Sequence, residues 1–373
     1  MLLANRLTEA ICQNGKIDGA MNRSSSQLLR KPTSAGYNAA GVALKEGRES
    51  KLEDATMVIQ TKLTRMLGIE HPVLLAPMDL VSGGRLAAAV SQAGGLGLLG
   101  GGYGDSEWID REWDRAGNAR IGCGFITWRL AEHPKVLVDA LAHWPAAIML
   151  SFGDPRPFAA PIHAAGARLI CQVQTVALAR EAMAAGADII VAQGTEAGGH
   201  GMSEPLFTLL PQVVDACPDT PVVAAGGIAD GRGLAAALML GAEGVLMGTR
   251  FYASQEADGH PEAKRRIVAA EAGQTVRSIV FDLSRRMRWP APYTGRLLRN
   301  RHAETWLGRE LELQDRVEEI GPVYAAARQR GDFDVAGVIA GEACALIHDI
   351  VPAREIVERI VAQAEGLFVV NRA

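Results

Sequence analysis

The sequence predicts a (β/α)8 TIM barrel, an α/β fold, with a mostly helical insertion after the eighth strand. Three observations predict it. From Val58 to about residue 254, eight short apolar runs alternate with helix-length segments. Each run is continuous rather than alternating, as expected of a parallel sheet whose outer face is covered by helices. The phrases Ala185-Gly186-Ala187-Asp188 and Leu240-Gly241-Ala242-Glu243 repeat one pattern, a glycine that stops a helix and a strand that follows at once. A doubly wound open sheet is the alternative. It would have to accommodate eight units without a G-x-G-x-x-G after the first strand.

Taken in order, residues 1–56 carry Ser24-Ser25-Ser26, a charged run at 45–54 and no sustained period, so they read as a disordered N-terminal extension. Strands are expected at 72–78, 95–99, 121–127, 146–152, 168–174, 188–193, 221–225 and 243–247. Among the intervening helices, 83–92 stops at Ala93-Gly94-Gly95. The helix at 175–185 opens on Thr175 as N-cap and stops at Gly186, and the one at 231–240 stops at Gly241. The barrel is assigned to 57–254 plus 350–373. The insertion at 255–349 covers its mouth, with helices expected at 261–272, 306–329 and 335–347. A closing helix at 352–363 places Ile356, Val357, Ile360 and Val361 on one face.

Composition narrows the function classes. The 373 residues carry a formal net charge of −4 and few aromatics, so no electrostatic or stacking footprint for nucleic acid or an anionic membrane is expected. Cys12, Cys123, Cys171, Cys217 and Cys344 are odd in number, widely spaced and free of C-x-x-C. They imply a reducing, cytoplasmic setting with neither a disulfide frame nor a metal site. No apolar run is long enough for a membrane helix.

Barrels keep their chemistry in the loops after the strands. Strand six empties into Gln193-Gly194-Thr195-Glu196-Ala197-Gly198-Gly199-His200-Gly201, where a histidine follows two glycines. Alone, that stretch reads equally well as a turn or a site. Ala225-Gly226-Gly227-Ile228 after strand seven and Met247-Gly248-Thr249-Arg250-Phe251 after strand eight are glycine-rich at the two positions where barrels often bind phosphate. Ala76-Pro77-Met78 ends strand one; Met78 packs on a flat ring or fills the barrel top. Gln172 and Gln174 share one face of strand five, and Gln193 ends strand six. Buried amides need partners, either a heterocycle edge or neighbouring backbone.

These phrases, from the Gln193–Gly201 stretch through the two glycine loops, resemble the nitronate monooxygenase family, formerly called 2-nitropropane dioxygenases. The glycine–histidine phrase is shared with flavin-dependent enoyl-ACP reductases. The resemblance runs from about Val58 to the C-terminus and includes Val280-Phe281-Asp282, Trp289-Pro290 and Gly341-Glu342-Ala343 in the insertion. It implies non-covalent FMN and oxidation of alkyl nitronates such as propionate 3-nitronate by O2, giving a carbonyl compound and nitrite. Electrons would leave the nitronate for the flavin one at a time. By the same resemblance His200 is the catalytic histidine, and Gly226, Gly227, Gly248 and Thr249 hold the phosphate. Pro77 and Met78 present backbone to the ring, Gln172 lies near its pyrimidine edge, and Ala76, Gln193, Gly198 and Gly199 complete the cofactor site. Two departures stand out: Gly124 lies on strand three where many members have asparagine, and Gln172 stands where some have lysine. The alternative activity is an NAD(P)H-dependent flavin reductase acting on a quinone or an enoyl thioester. A catalytically silent barrel that binds FMN or a sugar phosphate is a third reading.

Overall fold

A computed structural model of the protein describes residues 59–370. The extension expected at 1–56, with Cys12, lies outside the described residues. Eleven strands are found among them: β1 Val73–Leu75, β2 Leu98–Gly102, β3 Gly122–Ile126, β4 Ala147–Ser151, β5 Arg168–Val173, β6 Ile189–Gln193, β7 Gly199–Gly201, β8 Val222–Ala225, β9 Gly244–Met247, β10 Thr275–Ser278 and β11 Thr294–Leu298. Eight of them form one parallel sheet in the order β1-β9-β8-β6-β5-β4-β3-β2. It closes where Leu74 bridges Leu96: the Leu75 N–H donates to the Leu96 carbonyl and the Leu96 N–H to the Val73 carbonyl, each at 3.0 Å. The result is the expected barrel.

Continuous apolar strands follow from burial on both faces. Leu74, Leu98, Met149, Ile170, Val191 and Leu246 pack with one another in one core cluster. Their neighbours in sequence, Val73, Leu99, Ile148, Leu169, Ile190 and Val245, pack in another with the helices. The period of two therefore points one set at the barrel axis and the other outward. By that parity Gln172 and Gln193 face inward at the top. Cys123 and Cys171 face the helices, where burial pushes both thiols up to about 12. Cys217 and Cys344 are also free and buried.

The helices start and stop where the sequence indicates. The Thr175 side chain accepts from the Leu178 N–H at 3.2 Å to open Val176–Ala184. The closing helix is Ala353–Val370, longer than expected, and it buries Ile356, Val357, Ile360 and Val361. It packs on Gly231–Met239, whose first N–H donates to Gln363 Oε1 at 2.7 Å. No helix among the described residues is long and apolar enough to cross a membrane.

The insertion departs from the helical expectation. β10 and β11 pair antiparallel, and β11 also pairs with β7, so that a segment of the barrel loop becomes the third strand of the lid sheet. The helix expected at 306–329 is three: Arg301–Trp306, Glu310–Asp315 and Val317–Arg330, with Gly308 at φ +78° after the first. The helix expected at 335–347 is absent except for a 3₁₀ turn, Glu342–Leu346. Long-range partners take its backbone instead. The Leu298 N–H donates to Val338, the Glu342 N–H to Glu196, and the Gly341 N–H to Thr249 Oγ1.

One buried group in the lid makes stability depend on pH. His302 is 7% exposed, its Nε2 lies 2.7 Å from Ser284 Oγ, and burial lowers its pKa to about 4. The unfolded side chain titrates near 6.5. Its contribution is therefore complete above about pH 6.5 and is lost as pH falls toward about 4, because the unfolded chain binds the proton first. The expected outcome is a loss of about 2–3 kcal/mol across that window, scaled from the two pKa values. His302→Gln should flatten that slope in urea unfolding followed from pH 7 to pH 4. An unchanged slope would remove His302 as the cause.

Candidate active site

The loop after β6 is held in place from both sides. From the barrel, Gln174 Nε2 donates to Gln193 Oε1 at 2.9 Å, and Gln193 Nε2 donates to the His200 carbonyl at 3.1 Å. Gln193 therefore braces the His200 backbone, and Gln174 holds Gln193 in turn while its own Oε1 has no protein partner among the described residues. The Gln172 side chain makes no protein hydrogen bond among the described residues and lines the cavity, so its whole amide is open to a ligand. From the lid, the Arg277 guanidinium donates to the carbonyls of Thr195 at 3.0 Å, Ala197 at 3.1 Å, Gly199 at 3.4 Å and to Thr294. Arg296 donates to Thr195 at 2.9 Å and pairs with Glu342 at 2.9 Å. Burial lowers the Arg277 pKa only to about 10, so the clamp stays charged at neutral pH.

Within that frame His200 sits opposite Gly295 in the lid sheet. Its Nε2 lies 2.9 Å from Asp282 Oδ2, and the two side chains are 10% and 8% exposed. The imidazole stacks on Trp289 with centroids 3.4 Å apart and planes 9° from parallel. Phe152 meets Trp289 edge-on at 5.2 Å and the His200 ring at 6.5 Å. The Trp289 indole N–H donates to the Tyr103 hydroxyl at 3.1 Å, and the Arg285 guanidinium lies over the Tyr103 ring at 5.8 Å. Burial pushes the Asp79 carboxyl up, and Arg285 and Arg328 only partly offset that.

A cavity of about 360 Å³ occupies the barrel mouth, within the range of cofactor and substrate sites. Ala76, Pro77, Met78, Gln172, Gln193, Gly198, Gly199, His200, Gly226, Gly227, Gly248 and Thr249 all line it, so the fold brings these candidates to one place, whereas Gln174 lies behind Gln193 and does not line it. Gly226 and Gly227 adopt φ +104° and +72°, a conformation only glycine takes without strain. Among the described residues the N–H groups of Gly226, Gly227, Gly248 and Thr249 donate to no protein acceptor. Thr249 Oγ1 accepts the Gly341 N–H at 2.9 Å, which leaves the hydroxyl proton for a ligand. Unpaired donors on two adjacent loops make a cradle for an anion such as a phosphate. The helix after β8 does not add to it, because the Asp230 carboxylate caps its first N–H groups.

Met78 contributes differently from expectation. The Met78 N–H donates to Ser82 Oγ at 3.2 Å, and the Met78 carbonyl accepts from Val81 and Ser82. Its backbone is committed to the turn, and its side chain is what remains for a ligand. On β3, a Cβ placed on Gly124 would lie 2.3 Å from Pro77 Cγ. The proline ring occupies the space that any side chain at position 124 would need, which accounts for glycine there.

The family model described as nitronate monooxygenase matches residues 60–121 and 122–363. The chain is 34% identical over 370 residues to nitronate monooxygenase of Neurospora crassa, covering 86% of this chain and 96% of that one. The chain belongs to the nitronate monooxygenase family. Among solved structures, FabK from Thermotoga maritima superposes with a TM-score of 0.75 at 32% identity, covering 84% of this chain and 99% of that one. Nitroalkane oxidase from Streptomyces ansochromogenes superposes at 0.70 with 28% identity, covering 83% and 99%. Family membership makes this chain an oxidoreductase and implies a flavin cofactor. The glycine cradle beside an aromatic-walled cavity fits such a group.

Sequence reasoning did not assign roles to Asp282, Trp289, Phe152, Tyr103 or Arg277. Asp282 and Trp289 lie in insertion phrases that carry the family resemblance. For Phe152 and Tyr103 no motif was available, only their positions just after β4 and β2.

Proposed function

We propose that this nitronate monooxygenase family member binds FMN and oxidises alkyl nitronates with O2 to a carbonyl compound and nitrite. The observation that carries the reading is that His200, with one ring nitrogen engaged, lines the same cavity as an unpaired N–H cradle. Gly226, Gly227, Gly248 and Thr249 would hold the phosphate, and Ala76, Pro77, Met78, Gln172, Gly198 and Gly199 would border the rest of the cofactor. When bound, the flavin supplies one-electron acceptance from the substrate and reaction with O2. Trp289 and Phe152 wall the space beside His200 against water. His200 meets the substrate, as the base that takes the α-proton of a neutral nitroalkane or as a contact beside the nitro group of a nitronate.

A second reading is favoured by one observation. Arg285 and Arg328 line the cavity with no carboxylate within ion-pair distance among the described residues, which suits the phosphates of a nicotinamide nucleotide or a thioester carrier. This reading is an NAD(P)H-dependent flavin reductase. Anaerobic mixing separates the two. Bleaching of the flavin by ethyl nitronate but not by NADH or NADPH supports nitronate oxidation, and the reverse supports the reductase. Mass analysis of the released cofactor tests FMN directly. Protein purified without flavin that cannot be reconstituted would sink both readings.

A further inference from the structure

Asp282 has no role in the proposed chemistry so far, yet it makes the closest polar contact to the reacting histidine. Its Oδ2 lies 2.9 Å from His200 Nε2, and both side chains are about nine-tenths buried. Asp282 is carried by the short helix Val280–Ser284 of the lid, whereas His200 is carried by the barrel loop; 82 positions separate them in sequence. The stacked Trp289 ring fixes the plane of the imidazole, and the Gln193 amide fixes its backbone. The other ring nitrogen, Nδ1, has no protein partner among the described residues, and His200 lines the cavity.

We propose that Asp282 is a positioning residue that makes His200 a base. A carboxylate only accepts hydrogen bonds, so the nitrogen facing Asp282 carries the proton. In the neutral imidazole the lone pair is then on Nδ1, the nitrogen left for the substrate. A neutral nitroalkane presented there loses its α-proton to Nδ1. The C–H bond breaks, its electron pair stays on the carbon and spreads into the nitro group, and an N–H bond forms. The imidazolium so produced keeps its Nε2–H on the Asp282 carboxylate, which balances the new charge. The product of this step is the nitronate, so Asp282 extends the substrate range from nitronates to their neutral parents. The inference rests on the proposed nitronate chemistry.

The test compares one alkyl chain in two forms, nitroethane and preformed ethyl nitronate, on flavin-loaded wild type, Asp282→Asn and Asp282→Glu. An amide side chain donates as well as accepts, so Asp282→Asn no longer dictates the tautomer. Its kcat/KM for nitroethane is expected to fall roughly 100-fold or more, the scale of a lost general base. Its kcat/KM for ethyl nitronate, which needs no base, should stay within about 5-fold, and Asp282→Glu should recover part of the nitroethane activity. Equal losses on both substrates would make Asp282 merely structural and overturn the proposal. So would a wild type that oxidises ethyl nitronate but not nitroethane. If the wild type oxidises neither, the proposed function fails, and the tautomer decides the inference by itself. NMR of 15N-histidine-labelled holoprotein should then place the neutral His200 proton on Nε2 in wild type and move it in Asp282→Asn. A proton on Nδ1 in wild type overturns the proposal.

Discussion

His200→Ala is expected to lower kcat/KM for a neutral nitroalkane by roughly 10²–10⁴-fold, the usual weight of a positioned general base. Flavin content should be unchanged. The cradle glycines and Thr249 make no hydrogen bond to the imidazole, whose polar partner is Asp282. The His200 backbone keeps its pairing with Gly295 and with the Gln193 amide whatever the side chain, so strand β7 survives. A stability cost accompanies the loss. Asp282, 8% exposed beside the histidine, loses its partner at 2.9 Å, and an unsatisfied buried acceptor costs about 1–3 kcal/mol. Activity must therefore be compared at equal flavin stoichiometry and well below the lowered Tm. Full turnover of both nitroalkane and nitronate by flavin-loaded His200→Ala would remove His200 from the chemistry.

The barrel was legible because its signals are local. Eight apolar runs bounded by glycine or a capping residue each report their own burial, and closure only needs their number. The site's glycines were legible for the same reason, since Gly226, Gly227 and Gly248 act through their own backbone. The lid sheet was not. β10 and β11 carry Arg277 and Arg296, which by composition read as solvent-facing, yet both donate to carbonyls of residues 195–199, about 80 to 100 positions away. The stretch 335–347 looks helical because it is rich in alanine and isoleucine. Its backbone donors and acceptors are claimed instead by Leu298, Glu196 and Thr249. Asp282 belongs with these: a carboxylate on a short helix acquires meaning only when the fold sets it against His200.

Gly198→Ala is expected to do more damage than Gly199→Ala, although Gly199 has the more unusual backbone. Gly199 sits at φ +73°, and an added Cβ would meet nothing closer than Ile339 Cγ2 at 3.6 Å. Alanine there pays mainly the left-handed penalty, roughly 1–2 kcal/mol. At Gly198 the added Cβ would lie 2.6 Å from the Gly341 nitrogen and 2.7 Å from the Ala340 carbonyl carbon. The contact is reciprocal, since a Cβ on Gly341 would lie 2.6 Å from the Glu196 carbonyl oxygen. Neither backbone is free to give. The Gly341 N–H is bonded to Thr249 Oγ1, the Glu342 N–H to Glu196, and the Ala197 carbonyl to Arg277. Relief has to come from lifting the lid segment, which withdraws Gly341 from Thr249 and so disturbs the cradle itself. The expected outcome is a loss of about 1–3 kcal/mol for overpacking, together with weaker flavin retention. Gly199→Ala should lose stability but keep its flavin. Thermal unfolding and flavin titration of the two variants check this. Gly341→Ala should resemble Gly198→Ala, and the double variant should cost less than the sum because both side chains strain one contact. If Gly199→Ala sheds flavin and Gly198→Ala does not, the close approach of loop and lid is not what holds the cradle in shape.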